Sequence, residues 1–118
     1  MNASNASGTT ASASYADVTN ASDTITTTGG NLIAIASFCQ SNSAATSAMY
    51  AALSLDGAAE VGEVVTIETD NTFQHSQCIV YRWSGVSAGS HTVKLRWKTS
   101  GGTSTAYGGR VILIEEGH

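Results

Sequence analysis

One pattern in the sequence could support catalysis by a serine nucleophile. The segment Gly85–Gly89 matches Gly-x-Ser-x-Gly with Ser87 at its centre, a motif that in α/β-hydrolases occupies a sharp turn from a strand into a helix. Here residues 90–93 begin a strand-like alternation instead, and 118 residues are too few for the parallel sheet of such an enzyme. A hairpin loop rich in glycine and serine explains the match, and a small serine hydrolase is a distant alternative function.

The other groups able to carry proton or metal chemistry are scattered along the chain. The three histidines follow no known spacing of metal ligands: His75, His91 and His118. His91 begins a predicted strand on its inward side, so we interpret it as a residue at the edge of the core that bonds to the backbone. The adjacent Glu115 and Glu116 would point to opposite faces of a strand, which is wrong for shared acid–base work. The sequence therefore predicts no catalytic residue, no metal site and no cofactor.

Saccharide binding requires aromatic rings at the surface. Four of the eight aromatic residues fall on predicted inward faces or in a buried-looking strand. A carbohydrate-binding, receptor-binding module is therefore kept as the alternative function, with candidate contacts at Tyr50, Phe73 and Tyr107.

The composition argues against several classes of partner. Only 12% of the residues are charged, about half the usual share, whereas 16 serines and 15 threonines make up over a quarter of the chain. The net charge is −4, and nucleic-acid binding depends on clustered Lys and Arg. We therefore expect a hydroxyl-covered protein that does not bind nucleic acid.

No segment predicts membrane insertion or export. The longest apolar run, Leu32–Ala36, has five residues, far fewer than the ~18 that a spanning helix needs. The first residues lack the basic start and the apolar stretch of a signal peptide, so we expect synthesis in the cytoplasm without one. Cys39 and Cys78 each lie in an apolar segment and are interpreted as buried free thiols, with a disulfide between them left open.

Alternation at period two predicts strands along most of the chain. In His91–Lys98 the odd positions are apolar or His91 and the even positions are Thr, Lys or Arg, as in a half-buried strand. Asp56–Gly57 is a hairpin signal. About eight short strands, with turn signals roughly every ten residues, predict an all-β antiparallel sandwich, jelly-roll-like. The segment Ala44–Leu53 also fits a short helix, which is the local alternative.

Three segments break the alternation because they are apolar on both sides: Leu32–Cys39, Cys78–Trp83 and Val111–Ile114. One side of such a strand meets the core and the other needs a partner. The sequence therefore predicts a homo-oligomer, which we expect to be a homotrimer. The predicted interface comprises Leu32, Ala34, Phe38, Ile112 and Ile114.

The first thirteen residues are of low complexity and repeat Asn-Ala-Ser. Such a segment buries too little apolar surface to offset the entropy of its ordering. We predict a flexible arm over residues 1–13 and a sandwich domain over 14–118. The arm either orders on a larger partner surface, through Asn2, Asn5, Thr9 and Thr10, or links to an upstream domain.

Four segments of the sequence carry a resemblance to a known family: Ser87–Trp97, Gly101–Thr103, the final strand Arg110–Glu116, and Asn31–Ala34 after a Gly-Gly turn. With these segments, the chain over about residues 14–116 resembles small β-sandwich domains of tailed-bacteriophage structural proteins. The resemblance implies a jelly-roll-like fold, often trimeric, displayed on a particle as a capsid decoration, a head fibre or a tail-fibre head. It brings no catalytic motif.

The sequence thus favours a non-enzymatic virion surface protein, made in the host cytoplasm, whose partners are further copies of itself and a capsid or other virion protein. A surface glycan is a possible further partner under the alternative function.

Overall fold

Eight β-strands make up the fold. The computed structural model describes residues 6–67 and 74–116, and it contains no helix within those ranges. No helix there could cross a membrane. The strands are β1 Thr9–Thr10, β2 Ala16–Thr27, β3 Gly30–Asn42, β4 Ala48–Leu55, β5 Val61–Ile67, β6 His75–Val86, β7 Gly89–Thr99 and β8 Ser104–Glu116. The all-β prediction is confirmed, and the helical alternative over Ala44–Leu53 is wrong because most of that segment lies in β4.

The strands form two antiparallel four-stranded sheets. Sheet I has the order β1-β8-β3-β6, and sheet II has the order β2-β7-β4-β5. Four of the strand pairs are those expected when one long hairpin is wound into two layers: β1–β8, β2–β7, β3–β6 and β4–β5. Two further pairs complete the sheets, β3–β8 in sheet I and β4–β7 in sheet II. This is the connectivity of a jelly roll.

The core lies between the sheets and takes one side of each strand. Val93, Leu95 and Trp97 of β7 are at most 1% exposed, as the alternation predicted. They meet the inner side chains of sheet I, and Trp97 packs edge-on against Phe38 with ring centroids 6.4 Å apart. Burying one large apolar side chain stabilises the fold by about 1.5–3 kcal/mol, so these inner rows supply most of the stability.

A bulge in β8 keeps its inner side in register. Ala106 and Val111 both point into the core although five positions separate them, and an unbroken strand would place them on opposite sides. The register shifts between Phe38–Gly109 and Cys39–Tyr107, so Gly108 is the extra residue. Gly109 has φ +110°, and a Cβ there would lie 2.2 Å from the Ser37 carbonyl oxygen. Glycine is therefore required for the close approach of β8 to β3.

Polar side chains close one end of the core. The Asn42 side-chain nitrogen lies 2.9 Å from Thr99 Oγ1, 3.0 Å from the Gly101 carbonyl oxygen and 3.1 Å from Ser104 Oγ. Its Oδ1 accepts the Ala44 N–H at 2.8 Å. One buried amide therefore joins β3, β7 and β8 where apolar packing ends.

The described part of the predicted arm lies on the sandwich. Ala6 is 1% exposed and its N–H donates to the Gly109 carbonyl oxygen at 3.1 Å. Thr9–Thr10 is strand β1 and pairs with β8, and the Ser12 carbonyl oxygen accepts the Thr99 N–H at 2.9 Å. The predicted boundary after residue 13 therefore does not separate an arm from the sandwich in the structure.

The physical reason is that this segment docks through its backbone. Its small side chains let the main chain approach the sheet, and the sequence argument weighed side-chain burial alone. Of the four predicted partner contacts, Thr9 and Thr10 form β1, whereas Asn2 and Asn5 lie outside the described residues. A contact with a partner, and the flexibility of the segment in isolation, stay predictions.

Candidate functional site

The outer side of sheet I carries five branched apolar residues that adjoin one another. Register places Val80, Ile35 and Ile112 in one row across β6, β3 and β8, and Ile33 and Ile114 in the next. Val80 is 63% exposed and Ile114 is 45% exposed, and the other three are partly buried. We call these five residues the aliphatic face.

The structure corrects which side of β3 points outward. Leu32 and Ala34 are fully buried and Phe38 is 4% exposed, inside a single chain, so they offer no surface to a second copy. Ile112 and Ile114 do lie on the outer side, where their neighbours on β3 are Ile33 and Ile35. A strand that is apolar on both sides does not reveal its inner side by alternation alone, which explains the error.

Polar groups border the aliphatic face at one end. Arg82 Nε and Asn31 Nδ2 both donate to Glu116 Oε1 at 2.8 Å. The bond from Arg82, and then that from Asn31, lowers the pKa of the Glu116 carboxyl. Charges therefore border the aliphatic face at this end, and the exposed Arg110, in register with Ser37 in the row beyond Ile112, borders it at the other end.

Both cysteines also lie on the outer side of sheet I. Register pairs Cys39 with Ser76 and Cys78 with Ser37, in the rows beyond Ile35. Cys78 is exposed and Cys39 is half-buried, and both are free thiols. The interpretation of Cys39 and Cys78 as buried is therefore wrong for Cys78 and only partly right for Cys39.

The outer side of sheet II carries charges of both signs, which we call the charged face: Asp17, Glu60, Glu63, Lys94, Arg96 and Lys98. Arg96 bonds to Asp17, and its Nε lies 3.2 Å from Glu60 Oε2. Lys94 Nζ lies 3.4 Å from the other oxygen of Asp17. The bond from Arg96 is the main cause that lowers the pKa of the Asp17 carboxyl. Three bases and three acids make this side neutral in sum.

Two tyrosines flank the last cation of the charged face. Lys98 Nζ lies 4.7 Å from the centroid of the Tyr15 ring and 4.8 Å from that of the Tyr50 ring, within the range of cation–π attraction. The Tyr15 hydroxyl donates to Glu63. Burial, and then this hydrogen bond, raises the pKa of the Tyr15 hydroxyl. Tyr15 and Tyr50 thus stand in one row with Lys98 between them.

The predicted glycan contacts do not come together. Tyr50 is on the outer side of sheet II, whereas Tyr107 is 43% exposed on the outer side of sheet I. Phe73 lies outside the described residues. The aromatic partner of Tyr50 is Tyr15. Sequence reasoning kept Tyr15 as a candidate surface aromatic but could not place it beside Tyr50, because the pairing of β2 with β7 was unknown.

The ring of His91 lies against the main chain of Ser87, the central residue of the Gly85–Gly89 motif. His91 Nδ1 lies 2.6 Å from Asp56 Oδ2, and Nε2 lies 2.7 Å from the Ser87 carbonyl oxygen. That carbonyl also accepts the Thr27 hydroxyl at 2.8 Å. The bond to Asp56, and then that to Ser87, raises the pKa of His91. Because both ring nitrogens face acceptors, the imidazole has no lone pair placed to take a proton from a nucleophile.

This cluster confirms the interpretation of His91 as a core-edge residue that bonds to the backbone. Sequence reasoning missed its partner, Asp56, whose signal was present in the Asp56–Gly57 hairpin: β4 pairs with β7, so the end of β4 lies beside the start of β7. The described residues contain no group of three or more His, Cys, Asp or Glu side chains that could hold a metal ion.

A wide bulge opens sheet II between β2 and β7. Asp17 pairs with Arg96 and Ser22 pairs with Lys94, so four residues of β2 face Leu95 alone. Asn20 in this bulge has φ 60°. The departure of β2 leaves a shallow pocket of about 250 Å³, lined by residues 17–22 and Lys94. Bulges of this kind often lie beside binding sites.

No protein-family model and no curated protein matches the sequence. Among solved structures, the chain resembles a family 35 carbohydrate-binding module from an environmental isolate, with TM-score 0.50 and 16% identity over 98% of this chain and 90% of that one. It also resembles infectious bursal disease virus, Gx strain, with TM-score 0.59 and 14% identity over 100% of this chain and 32% of that one.

A mutant VP2 protein of the same virus, from derived T=1 particles, gives TM-score 0.57 and 11% identity over 96% of this chain and 30% of that one. The chain thus spans about a third of the length of these viral chains. At such identities the likeness shows a shared fold, the two-sheet β-sandwich of a jelly roll.

Proposed function

We propose that the chain is a non-enzymatic structural protein of a virion surface, and that its copies associate through the aliphatic face. The observation that carries this proposal is the exposure of Val80 and Ile114 beside Ile33, Ile35 and Ile112, an apolar cluster that charged side chains border at both ends.

The size of this side supports association. Three strands spaced about 4.8 Å apart, over nine residues of about 3.4 Å each, give β8, β3 and β6 an outer surface of roughly 400 Å², which contains the aliphatic face and its polar border. Exposed apolar clusters on single chains often mark interaction sites. A stable pair buries about 800 Å² per partner, so one such contact alone falls short.

A closed ring resolves this shortfall, because each copy then contacts two neighbours. We therefore propose a homotrimer, in which the aliphatic face of one copy packs against a second patch of the next. The fold likeness to the viral capsid chains, together with the resemblance to phage structural domains, supports a place on a virion as capsid decoration or fibre head.

The state of His91 supports a non-enzymatic role. A serine hydrolase needs an imidazole nitrogen within about 3 Å of the nucleophile, whereas the close contact of His91 Nε2 is with the Ser87 carbonyl oxygen.

Sedimentation of paired variants tests the association. Val80→Glu places a charge within the aliphatic face, at its most exposed residue, and Val65→Glu places the same charge on β5 of sheet II, where Val65 is 50% exposed. We expect the wild type and Val65→Glu to sediment as oligomers at micromolar concentration, and Val80→Glu as a folded monomer with unchanged circular dichroism. A monomeric wild type, or equal dissociation of both variants, would overturn association through this face.

Fractionation tests the virion. A culture that produces the protein is separated on a density gradient, and the chain is detected with an antibody. We expect it to band with particles and to be released from them by mild denaturant. A chain found only in the soluble fractions of a culture that contains particles contradicts the virion proposal.

A further inference from the structure

We propose that the outer side of sheet II binds a neutral saccharide, with one sugar in the pocket at the β2 bulge and the next over Tyr15, Lys98 and Tyr50. This site lies on the opposite sheet from the aliphatic face, so it does not depend on the association proposed above.

The pocket offers hydrogen-bonding groups of several kinds, most of them from the bulged segment of β2. Asp17 supplies acceptors, Lys94 supplies donors, and the hydroxyls of Thr19 and Ser22 supply both. Asn20 adds an exposed amide at the crest of the bulge. Sugar hydroxyls donate and accept together, so a mixed set of this kind suits them better than it suits a single charged group.

The tyrosine row offers two aromatic rings, on either side of the Lys98 ammonium, next to that pocket. Tyr15 lies two residues before Asp17, about 7 Å along β2, and Tyr50 reaches the same row from β4. Lys98 holds both rings by cation–π contacts, and Glu63 holds the Tyr15 hydroxyl. Rings positioned by such contacts lose little side-chain entropy when a ligand packs on them.

The charges favour a neutral ligand. Arg96 and Lys94 already bond to Asp17, and Arg96 also bonds to Glu60. The three acids and three bases of this side sum to zero, so it offers no net positive charge to an acidic sugar, and the chain as a whole has a net charge of −4. A neutral sugar needs no counter-charge, and its hydroxyls can use the remaining donors and acceptors of these paired groups.

A glycan array carrying neutral and acidic oligosaccharides identifies the neutral oligosaccharide that the protein binds best. Calorimetry with that oligosaccharide then measures the binding affinity of the wild type and of each variant. Tyr50→Ala and Asp17→Asn alter the proposed site, and Tyr107→Ala is the matched control because Tyr107 is an exposed tyrosine on the other sheet. We expect each site variant to weaken binding about tenfold, which corresponds to ~1.4 kcal/mol, and the control to bind like the wild type.

Three results would overturn the site: no neutral oligosaccharide bound, acidic oligosaccharides alone bound, or equal weakening by Tyr50→Ala and Tyr107→Ala. Circular dichroism and urea unfolding of each variant show that it is folded. The Val80→Glu variant separates the two proposals, since we expect it to lose association and to keep its saccharide affinity. Failure of either test therefore leaves the other proposal standing.

Discussion

The outer sides of the two sheets differ in chemistry, although their inner sides are alike. Both inner sides are apolar and meet at Phe38 and Trp97. Outside, sheet I carries a cluster of five aliphatic residues, whereas sheet II carries equal numbers of acids and bases, of which Asp17, Glu60, Lys94 and Arg96 bond to one another. Sheet II exposes apolar residues at its edge strand β5, Val65 and Ile67, whereas the apolar cluster of sheet I extends across three neighbouring strands that a second chain can cover.

This difference can be located in two central strands. In β7 every outward position from Thr92 to Lys98 is polar, so water solvates that side at no cost. In β3 the outward Ile33 and Ile35 are as apolar as the inward Leu32 and Ala34. Each exposed isoleucine that a partner covers contributes up to about 1.5–3 kcal/mol to association, so the comparison predicts that sheet I holds the contact between copies.

The largest expected effect concerns the bulge that sets the sides of β8. Gly109→Ala would place a Cβ 2.2 Å from the Ser37 carbonyl oxygen and 2.5 Å from Phe38 Cβ, at φ +110°. Overpacking costs about 1–3 kcal/mol and the backbone conformation about 1–3 kcal/mol. We expect a loss of roughly 4 kcal/mol in the free energy of unfolding, measured in urea.

Gly108→Ala is the matched control for that loss. Gly108 has φ +64°, and a Cβ there would meet no atom within 4 Å, so we expect only the backbone cost of about 1–3 kcal/mol. Equal losses at the two glycines would show that the close approach of β8 to β3 is absent. The bulge that turns Ile112 and Ile114 outward would then need another explanation.

The next prediction compares the two sides of β3 at adjacent positions, with an expected effect of similar size on the inner side and a small one on the outer side. Leu32→Ala removes a fully buried side chain, and we expect a loss of about 2–5 kcal/mol in the free energy of unfolding. Ile33→Ala removes a side chain from the aliphatic face, and in dilute monomer we expect a loss below about 1 kcal/mol. Sedimentation should reverse the order: Ile33→Ala weakens association and Leu32→Ala, where folded, keeps it. A similar loss of stability at both positions would contradict the assignment of sides.

Alternation was enough to predict the parts of the fold in which one side of a strand is polar. The inward row Val93, Leu95 and Trp97 followed from the Lys and Arg residues between them. The Asp56–Gly57 turn between β4 and β5 followed from its residue types. In both cases a local rule decides the outcome without knowledge of the partner strand.

Features that depend on strand pairing could not be read from the chain. The side of β3 that faces the core depends on which strands flank it, and the partnership of Tyr15 with Tyr50 depends on β7 lying between β2 and β4. The docking of residues 6–13 uses backbone hydrogen bonds, to which no side-chain pattern corresponds. Period-two reasoning identifies strands well and leaves their neighbours undetermined.

The smallest expected effect lies at the cluster of Asp56, His91 and Ser87, where the turn after β4 and the β6–β7 connection meet the start of β7. The raised pKa of His91 means that its contribution to stability is fully present below the unfolded value of about 6.5 and is lost as pH rises through the folded pKa. The pKa of Asp56 is lowered, first by the bond from His91, so its contribution is present above the unfolded value of about 3.8 and is lost as pH falls through the folded pKa. The pair therefore contributes most between about pH 4 and 6.5.

Asp56→Asn tests this window, because Asn also tolerates the φ of 51° at this position and can still accept the Thr92 N–H. Asp56 is 45% exposed, so we expect the pair to contribute no more than about 1 kcal/mol. Urea unfolding at pH 5.5 and 8.5 should show a smaller loss of stability with rising pH in Asp56→Asn than in the wild type. Groups elsewhere titrate alike in both proteins, so the difference isolates the pair. An identical pH dependence in the two proteins would contradict a contribution of the Asp56–His91 pair to stability.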